Sequence, residues 1–156
     1  MEIDFSHIVS RLSGQVSSPR LEARLMIGAV LNQDADSLPL GKLELTAEQY
    51  QTLMHIIEQR LAHWPLDKLL RHKDFYKYNF YVDSNVLSPR PDTEILVEQA
   101  ASILASHPDF GLVLDLGTGS GCILLSLLAD FPHLCGVGVD SSAAALHVAK
   151  KNAAAL

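Results

Sequence analysis

Residues 115–121 read Asp-Leu-Gly-Thr-Gly-Ser-Gly, a turn that holds three of the nine glycines in the chain. The apolar run Leu112-Val113-Leu114 before it predicts a short strand, covered on both faces of a parallel sheet. The apolar residues 123–129 after it predict a helix. Glycines let a backbone turn tightly and approach a ligand closely, and such a turn presents N–H groups at the start of a helix.

A second apolar strand, Gly136 to Val139, follows the helix and ends at Asp140. Ser141 is expected to cap a further helix that reaches the end of the sequence. The order strand, helix, strand predicts an α/β fold with a parallel sheet, which binds ligands beyond the carboxyl ends of its strands. A carboxylate at that edge can accept hydrogen bonds from both hydroxyls of a ribose. The glycine turn and Asp140 therefore predict an adenosine-containing ligand.

The sequence before this unit predicts a small helical domain. Residues 1–31 have the apolar spacing of two helices, and residues 32–45 are interpreted as a loop. Thr46 and Gln49 form a capping box at the start of a third helix, and Pro65 begins a short helical turn.

Aromatic and β-branched residues then become dense between Asp74 and Val82, which favours a strand. A turn at 83–85 and a second strand at Val86-Leu87 would complete a β-hairpin. Asp92 or Thr93 would cap a helix that runs to about Ser106. The predicted domains are a helical domain (1–73), to which the family resemblance described below assigns substrate recognition, a β-hairpin linker (74–88) and the first part of a ligand-binding α/β domain (89–156).

Composition excludes several classes of function. The formal charge of −6 argues against a broad nucleic-acid-binding face, and we expect no direct contact with nucleic acid. No apolar run approaches the roughly 20 residues that span a bilayer, and the acidic N-terminus does not resemble a secretory signal. We therefore predict a cytoplasmic protein without a membrane partner. The scattered histidines and the two separated cysteines predict no metal site.

The glycine turn resembles motif I of the class I methyltransferases. The dinucleotide fingerprint G-x-G-x-x-G would need a glycine where Cys122 stands, whereas Asp-x-Gly-x-Gly-x-Gly matches motif I. The resemblance implies a Rossmann-like fold, S-adenosyl-L-methionine as cofactor and S-adenosyl-L-homocysteine as product. It also implies that Asp115 helps to anchor the cofactor's ammonium group. The cofactor-binding residues that we predict are Asp115, Gly117, Thr118, Gly119, Ser120, Gly121 and Asp140.

A second resemblance narrows the family. Residues 86–94, which include Pro89-Arg90-Pro91-Asp92-Thr93-Glu94, resemble the "PRP(D/E)TE" signature of HemK-like or PrmC-like enzymes, the glutamine N5-methyltransferases of peptide chain release factors. The resemblance implies that the helical domain contacts a release factor. It also implies that four residues border the substrate cleft: Arg90, Pro91, Thr93 and Glu94.

The Asn-Pro-Pro-Tyr motif that holds the target amide in that family does not occur here, so no catalytic residue is assigned. We expect the chain to be a truncated fragment of a longer methyltransferase, without turnover of its own. A two-stranded parallel sheet with open edges would also favour self-association.

Two alternatives remain open from the sequence. One is a methyltransferase for the amino groups of nucleic-acid bases, whose members share the missing motif. The other is a non-catalytic protein-interaction module with a partial cofactor fold.

Overall fold

The computed structural model describes residues 1–156, which form two compact units, Met1–Leu70 and Arg71–Leu156. The α/β class predicted from the sequence is confirmed. The first unit contains the strands β1 (Glu2–Asp4) and β2 (Lys42–Glu44), the helices α1 (Phe5–Leu12), α2 (Pro19–Leu31), α3 (Ala47–Leu61) and α4 (Leu66–Leu70), and a 3-10 turn at Ala35–Ser37.

The core of the first unit lies between its three longer helices. Its fully buried side chains include Leu12, Met26, Ile27, Leu53 and Ile57. The capping box of α3 is confirmed, because the Gln49 N–H donates to Thr46 Oγ1 at 3.1 Å and the Thr46 N–H donates to Gln49 Oε1 at 2.9 Å.

The prediction of only helices and a loop in residues 1–45 was wrong. β1 and β2 pair antiparallel, with Ile3 opposite Leu43 and Glu2 opposite Glu44. Ile3 packs against the helical core and Leu43 is buried, so apolar burial stabilises this pairing. α1 begins only at Phe5, where the Asp4 carboxylate accepts the Ser6 N–H at 2.8 Å.

The second unit contains a β-hairpin and one βαβ arrangement. Its elements are the strands β3 (Lys73–Phe75), β4 (Tyr78–Phe80), β5 (Leu112–Leu116) and β6 (Cys135–Val139), and the helices α5 (Pro91–Ser106), α6 (Cys122–Asp130) and α7 (Ala143–Ala153).

The hairpin differs from its prediction. It is formed by β3 and β4 and turns at residues 76–77, where Tyr76 has a φ of 59°. Phe75 and Phe80 are both buried in the core of the second unit, with ring centroids 6.1 Å apart. A turn does exist near residues 83–86, but no strand follows it, because Val82 and Val86 pack against α7 instead of pairing with each other.

β5 and β6 pair in parallel, with Leu114 opposite Val137 and Asp115 opposite Gly138, which confirms the predicted βαβ unit. Only one face of this sheet is covered. α6 packs on the face that carries Gly136, where an added Cβ would lie 2.6 Å from Leu128 Cδ1. The predicted covering of both faces was wrong. The opposite face leaves six residues exposed: Leu112, Leu114, Leu116, Cys135, Val137 and Val139.

Two helix caps also differ from their predictions. The N-cap residue of α5 is Arg90 rather than Asp92 or Thr93, and no side chain caps this helix. Pro91 has a fixed φ and no N–H, so it occupies the first helical position. α7 is capped by Ser142 rather than Ser141, since Ser142 Oγ accepts the Ala145 N–H at 3.2 Å.

Candidate functional site

The glycine turn lies at the carboxyl edge of the β5–β6 sheet. It leaves β5 at Leu116 and enters α6 at Cys122. Gly117, Gly119 and Gly121 have φ values of 80°, 56° and 82°, a left-handed backbone that favours glycine at all three positions. The alternating glycines are therefore required by the path of the chain.

The end of β6 fixes the first part of this turn. The N–H groups of Gly117 and Thr118 both donate to the carbonyl oxygen of Val139, at 2.8 and 2.9 Å. Thr118 is buried, and its Oγ1 donates to Asp115 Oδ2 at 2.8 Å. Asp115 thus supports the turn from the strand that precedes it.

Asp140 lies beside the turn, as the sequence predicts for a residue at the tip of the next strand. Its Oδ2 accepts the Gly119 N–H at 2.9 Å, and its Oδ1 accepts the Ser142 N–H at 2.9 Å. Hydrogen bonds from the backbone of Ser142 and Gly119 lower the pKa of the Asp140 carboxyl below its usual value. Asp140 therefore presents a fixed, charged carboxylate at the edge of the sheet.

The turn leaves open space on one side. A Cβ built at Gly117 would meet no atom within 4 Å, and a Cβ at Gly119 would meet only the Gly117 carbonyl oxygen at 4.0 Å. On its other side the turn is tightly packed, since a Cβ at Gly121 would lie 2.9 Å from Leu125 Cδ1. A ligand can consequently approach the backbone at Gly117 and Gly119 closely.

Sequence reasoning missed Asn152, which lies on α7 and is 2% exposed. Its Nδ2 donates to the carbonyl oxygens of Ser120 at 2.8 Å and Tyr81 at 3.0 Å, and its Oδ1 accepts the Tyr81 N–H at 2.8 Å. An asparagine within a polar helical stretch carries no signal of such burial in one sequence.

The predicted cleft residues lie at the start of α5. The Thr93 N–H donates to the Arg90 carbonyl oxygen at 3.0 Å, and Pro91 is the first residue of the helix. Arg90 and Pro91 are exposed, while Thr93 and Glu94 are half-buried. No hydrogen bond or ion pair joins these four residues to the glycine turn, so their role in a substrate cleft stays a prediction.

Cys122 and Cys135 are free thiols, and burial raises the pKa of Cys122. No cluster of three or more histidine, cysteine, aspartate or glutamate side chains with metal-binding geometry is present. None of the helices has both the length and the apolar character needed to cross a bilayer.

Two family models match the chain in succession. The model described as the PrmC N-terminal domain matches residues 5–70, and the model described as the methyltransferase small domain matches residues 80–156. The boundary between the two matches lies close to the division between the two structural units.

Curated relatives match across both units. A protein named release factor glutamine methyltransferase from Rhodospirillum rubrum is 42% identical over 142 residues, which cover 90% of this chain and 43% of that protein. A relative of the same name from Caulobacter vibrioides is 39% identical and covers 90% of this chain and 49% of its own length. Another from Coxiella burnetii is 35% identical over 148 residues, or 94% of this chain and 53% of the relative. The chain thus spans about half the length of these relatives.

Proposed function

Because the chain belongs to the PrmC-like family of methyltransferases, we propose that its function is the transfer of a methyl group from S-adenosyl-L-methionine to a glutamine side-chain amide in a peptide chain release factor. The names of relatives that are 35–42% identical support the substrate. The family match of residues 80–156 to a methyltransferase domain supports the reaction.

The observation that carries the cofactor assignment is the convergence of Asp140 and the glycine turn. The Asp140 carboxylate lies within hydrogen-bond distance of the Gly119 nitrogen, although 21 residues separate them in sequence. Each carboxylate oxygen has two lone pairs and accepts one backbone N–H, so each can accept a further hydrogen bond from a ribose hydroxyl.

The residues present fit an adenosyl ligand. The space above Gly117 and Gly119 admits a ligand at van der Waals distance from the backbone, and a side chain at either position would occupy it. We assign the ribose to Asp140 and the methionine part to the turn formed by Gly117, Thr118, Gly119, Ser120 and Gly121. Asp115, which braces the turn through Thr118, would help to hold the ammonium group.

The chain would contribute binding and orientation. S-adenosyl-L-methionine supplies an electrophilic methyl group when bound. An uncharged amide nitrogen is a poor nucleophile, so the rate depends on holding the amide in line with that methyl group. The fixed turn and the fixed Asp140 carboxylate would set the position of the methyl group, which is one of the two reacting groups.

We propose that the amide and its protein are held by other parts of the chain. Arg90, Pro91, Thr93 and Glu94 would border the substrate cleft at the start of α5. The helical unit, which matches the PrmC N-terminal domain model, would contact the release factor. An enzyme with this substrate would act where translation takes place, in the cytoplasm.

We also propose that the chain self-associates through its β5–β6 sheet. Each of these strands has only one neighbour, so each leaves an edge of unpaired backbone groups. The exposed leucines of the uncovered face add apolar area beside those edges, and burying that area against a second copy is favourable.

Calorimetric titration of the 156-residue chain tests the cofactor assignment. S-adenosyl-L-homocysteine should bind saturably, while NAD, which also contains adenosine, should give no heat beyond dilution. Absence of saturable binding of S-adenosyl-L-homocysteine at millimolar concentration would contradict the assignment. Capture of a purified release factor by the immobilised chain, with an unrelated acidic protein as control, tests the partner separately.

A further inference from the structure

Asn152 makes more hydrogen bonds than any other uncharged side chain of the second unit. Its amide exchanges two hydrogen bonds with the backbone of Tyr81, as a neighbouring strand would, and donates a third to the carbonyl oxygen of Ser120. Its side chain is almost wholly buried, so these three backbone groups have little access to water that could replace it.

The bond to Ser120 holds the second part of the glycine turn. Asp140 fixes the peptide unit between Thr118 and Gly119 through the Gly119 N–H. The unit between Ser120 and Gly121 is held at both ends, since Asn152 donates to the Ser120 carbonyl oxygen and the Gly121 N–H donates to the Thr118 carbonyl oxygen, each at 2.8 Å. The unit between them, which joins Gly119 to Ser120, makes no hydrogen bond in the structure. Its orientation is therefore set by the two units beside it, and its carbonyl and N–H make no hydrogen bond that would compete with a ligand.

We propose that Asn152 is a positioning residue for the cofactor site, which acts by holding the Ser120–Gly121 peptide unit so that the Gly119–Ser120 unit faces the ligand. This inference rests on the proposed cofactor site. It adds a residue from α7, outside the glycine turn and the strand tips, to the set that determines cofactor affinity.

Lys151 provides a matched control on the same helix. Its Nζ lies 3.3 Å from the centroid of the Tyr81 ring, so it contacts the same segment as Asn152, but it makes no hydrogen bond to the glycine turn. K151A removes the contact between α7 and the Tyr81 ring without removing any bond to the turn, so it controls for a change confined to that ring. A loss of the turn's geometry would affect N152A alone.

The experiment compares the parent chain, N152A and K151A in two measurements. The first is the affinity for S-adenosyl-L-homocysteine, determined by calorimetry. The second is the backbone amide NMR spectrum without ligand, read at Gly119, Ser120 and Gly121. Both variants are checked by far-UV circular dichroism before titration.

We expect N152A to bind about ten-fold or more weakly, since a buried carbonyl loses its donor and the turn loses its fixed geometry. K151A should stay within about two-fold of the parent, because a surface cation–π contact is weak. The amide signals of the turn should shift or broaden in N152A only. If N152A does not fold, N152D is measured in its place, since it keeps the size and the acceptor for Tyr81 but removes both donors.

N152A affinity within about two-fold of the parent, together with unchanged signals at Ser120 and Gly121, would overturn the inference. Equal weakening in K151A and N152A would also overturn it. If the parent chain binds no S-adenosyl-L-homocysteine, the proposed cofactor site fails, and the ligand-free spectra still decide whether Asn152 positions the turn.

Discussion

The carboxylate of Asp140 accepts a hydrogen bond from the backbone nitrogen of Gly119 at 2.9 Å, which joins the tip of β6 to the turn that follows β5. The bond needs the left-handed backbone of the glycine turn and the parallel register that places Asp115 opposite Gly138. It brings the proposed acceptor of the ribose hydroxyls to the backbone that would carry the rest of the cofactor. Strand pairing and turn geometry thus fix the positions of Asp140 and the glycine turn relative to each other.

Substitution of Asp140 should weaken cofactor binding without unfolding the chain. D140A removes the acceptor of the Gly119 N–H and the proposed acceptor of the ribose, and we expect the affinity for S-adenosyl-L-homocysteine to fall by about ten- to hundred-fold, as for a lost charge-assisted pair of hydrogen bonds. Calorimetry measures this loss. D109A is the matched control, because the Asp109 side chain is exposed and makes no hydrogen bond or ion pair. Equal affinities of D140A and D109A would exclude Asp140 from the site.

Cofactor binding should resist acid until the pH falls below the usual aspartate pKa of 3.8. Backbone hydrogen bonds from Ser142 and Gly119 lower the pKa of Asp140 in the folded chain, so its carboxylate is charged above that value and is protonated only as the pH falls through the lower folded value.

The affinity for S-adenosyl-L-homocysteine, measured from neutral pH downward, should stay constant and should fall only below the usual aspartate pKa. D140N should bind more weakly at every pH and lack this part of the acid limb. Circular dichroism at each pH separates the loss of affinity from unfolding, since the hydrogen bond from Lys77 also lowers the pKa of Asp130, which supports the fold. A decline already complete near neutrality would contradict the prediction.

The sequence predicted the arrangement of the glycine turn and Asp140 well, because this arrangement depends on local patterns, and the binding of a cofactor there stays a prediction. An apolar strand, alternating glycines and an acidic residue after the next strand each follow from backbone geometry over a few residues. The bonds made by Asp140 and Thr118 connect groups at the tips of two adjacent strands, and the βαβ order brings those tips together.

Other features depend on partners distant in sequence. The pairing of β1 with β2 joins segments about 40 residues apart, and strands of three residues are too short for an alternating pattern to stand out. The position of the hairpin turn depends on burying Phe75 and Phe80 together, which the aromatic run alone does not specify. Asn152 reaches Tyr81 across 71 residues, so no local pattern identifies it.

The helical unit should depend on one ion pair between α2 and α3. Arg60 Nε lies 2.6 Å from Glu22 Oε2, and Arg60 Nη2 lies 3.1 Å from Glu22 Oε1, with both side chains mostly buried. E22A leaves the guanidinium without its carboxylate and should lower the free energy of unfolding by about 1–3 kcal/mol.

Urea unfolding followed by fluorescence of Trp64, the single tryptophan, reports on this unit. The exposed Glu58 on α3 provides the control, and E58A should change the free energy of unfolding by less than about 0.5 kcal/mol. The same urea midpoint for E22A and E58A would show that the ion pair between Glu22 and Arg60 contributes nothing to stability.

Self-association should depend on the uncovered face of the β5–β6 sheet. Leu114 lies at the centre of that face and is 58% exposed, so L114E places a charge where a second copy would pack. In sedimentation velocity, the parent should sediment faster as its concentration rises, and L114E should not. L40E is the control, because Leu40 is similarly exposed in the helical unit. Concentration-independent sedimentation of the parent would rule out the proposed association.

Gly138 should be intolerant of a single added methyl group. A Cβ at this position would lie 2.9 Å from Thr118 Oγ1, which donates to Asp115 and lies within the glycine turn. G138A therefore has to displace Thr118, and we expect the free energy of unfolding of the second unit to fall by about 1–3 kcal/mol, as for other overpacked sites. The affinity for S-adenosyl-L-homocysteine should fall as well, because the displaced threonine carries the turn with it.

Gly111, just before β5, has open space around its Cβ position, so G111A should leave both the stability and the affinity unchanged. Thermal unfolding followed by circular dichroism measures the stability, and calorimetric titration measures the affinity. If G138A is destabilised but keeps full affinity, the turn keeps its shape when Thr118 is displaced. If G138A and G111A are equally stable, Thr118 moves aside without lowering the free energy of unfolding.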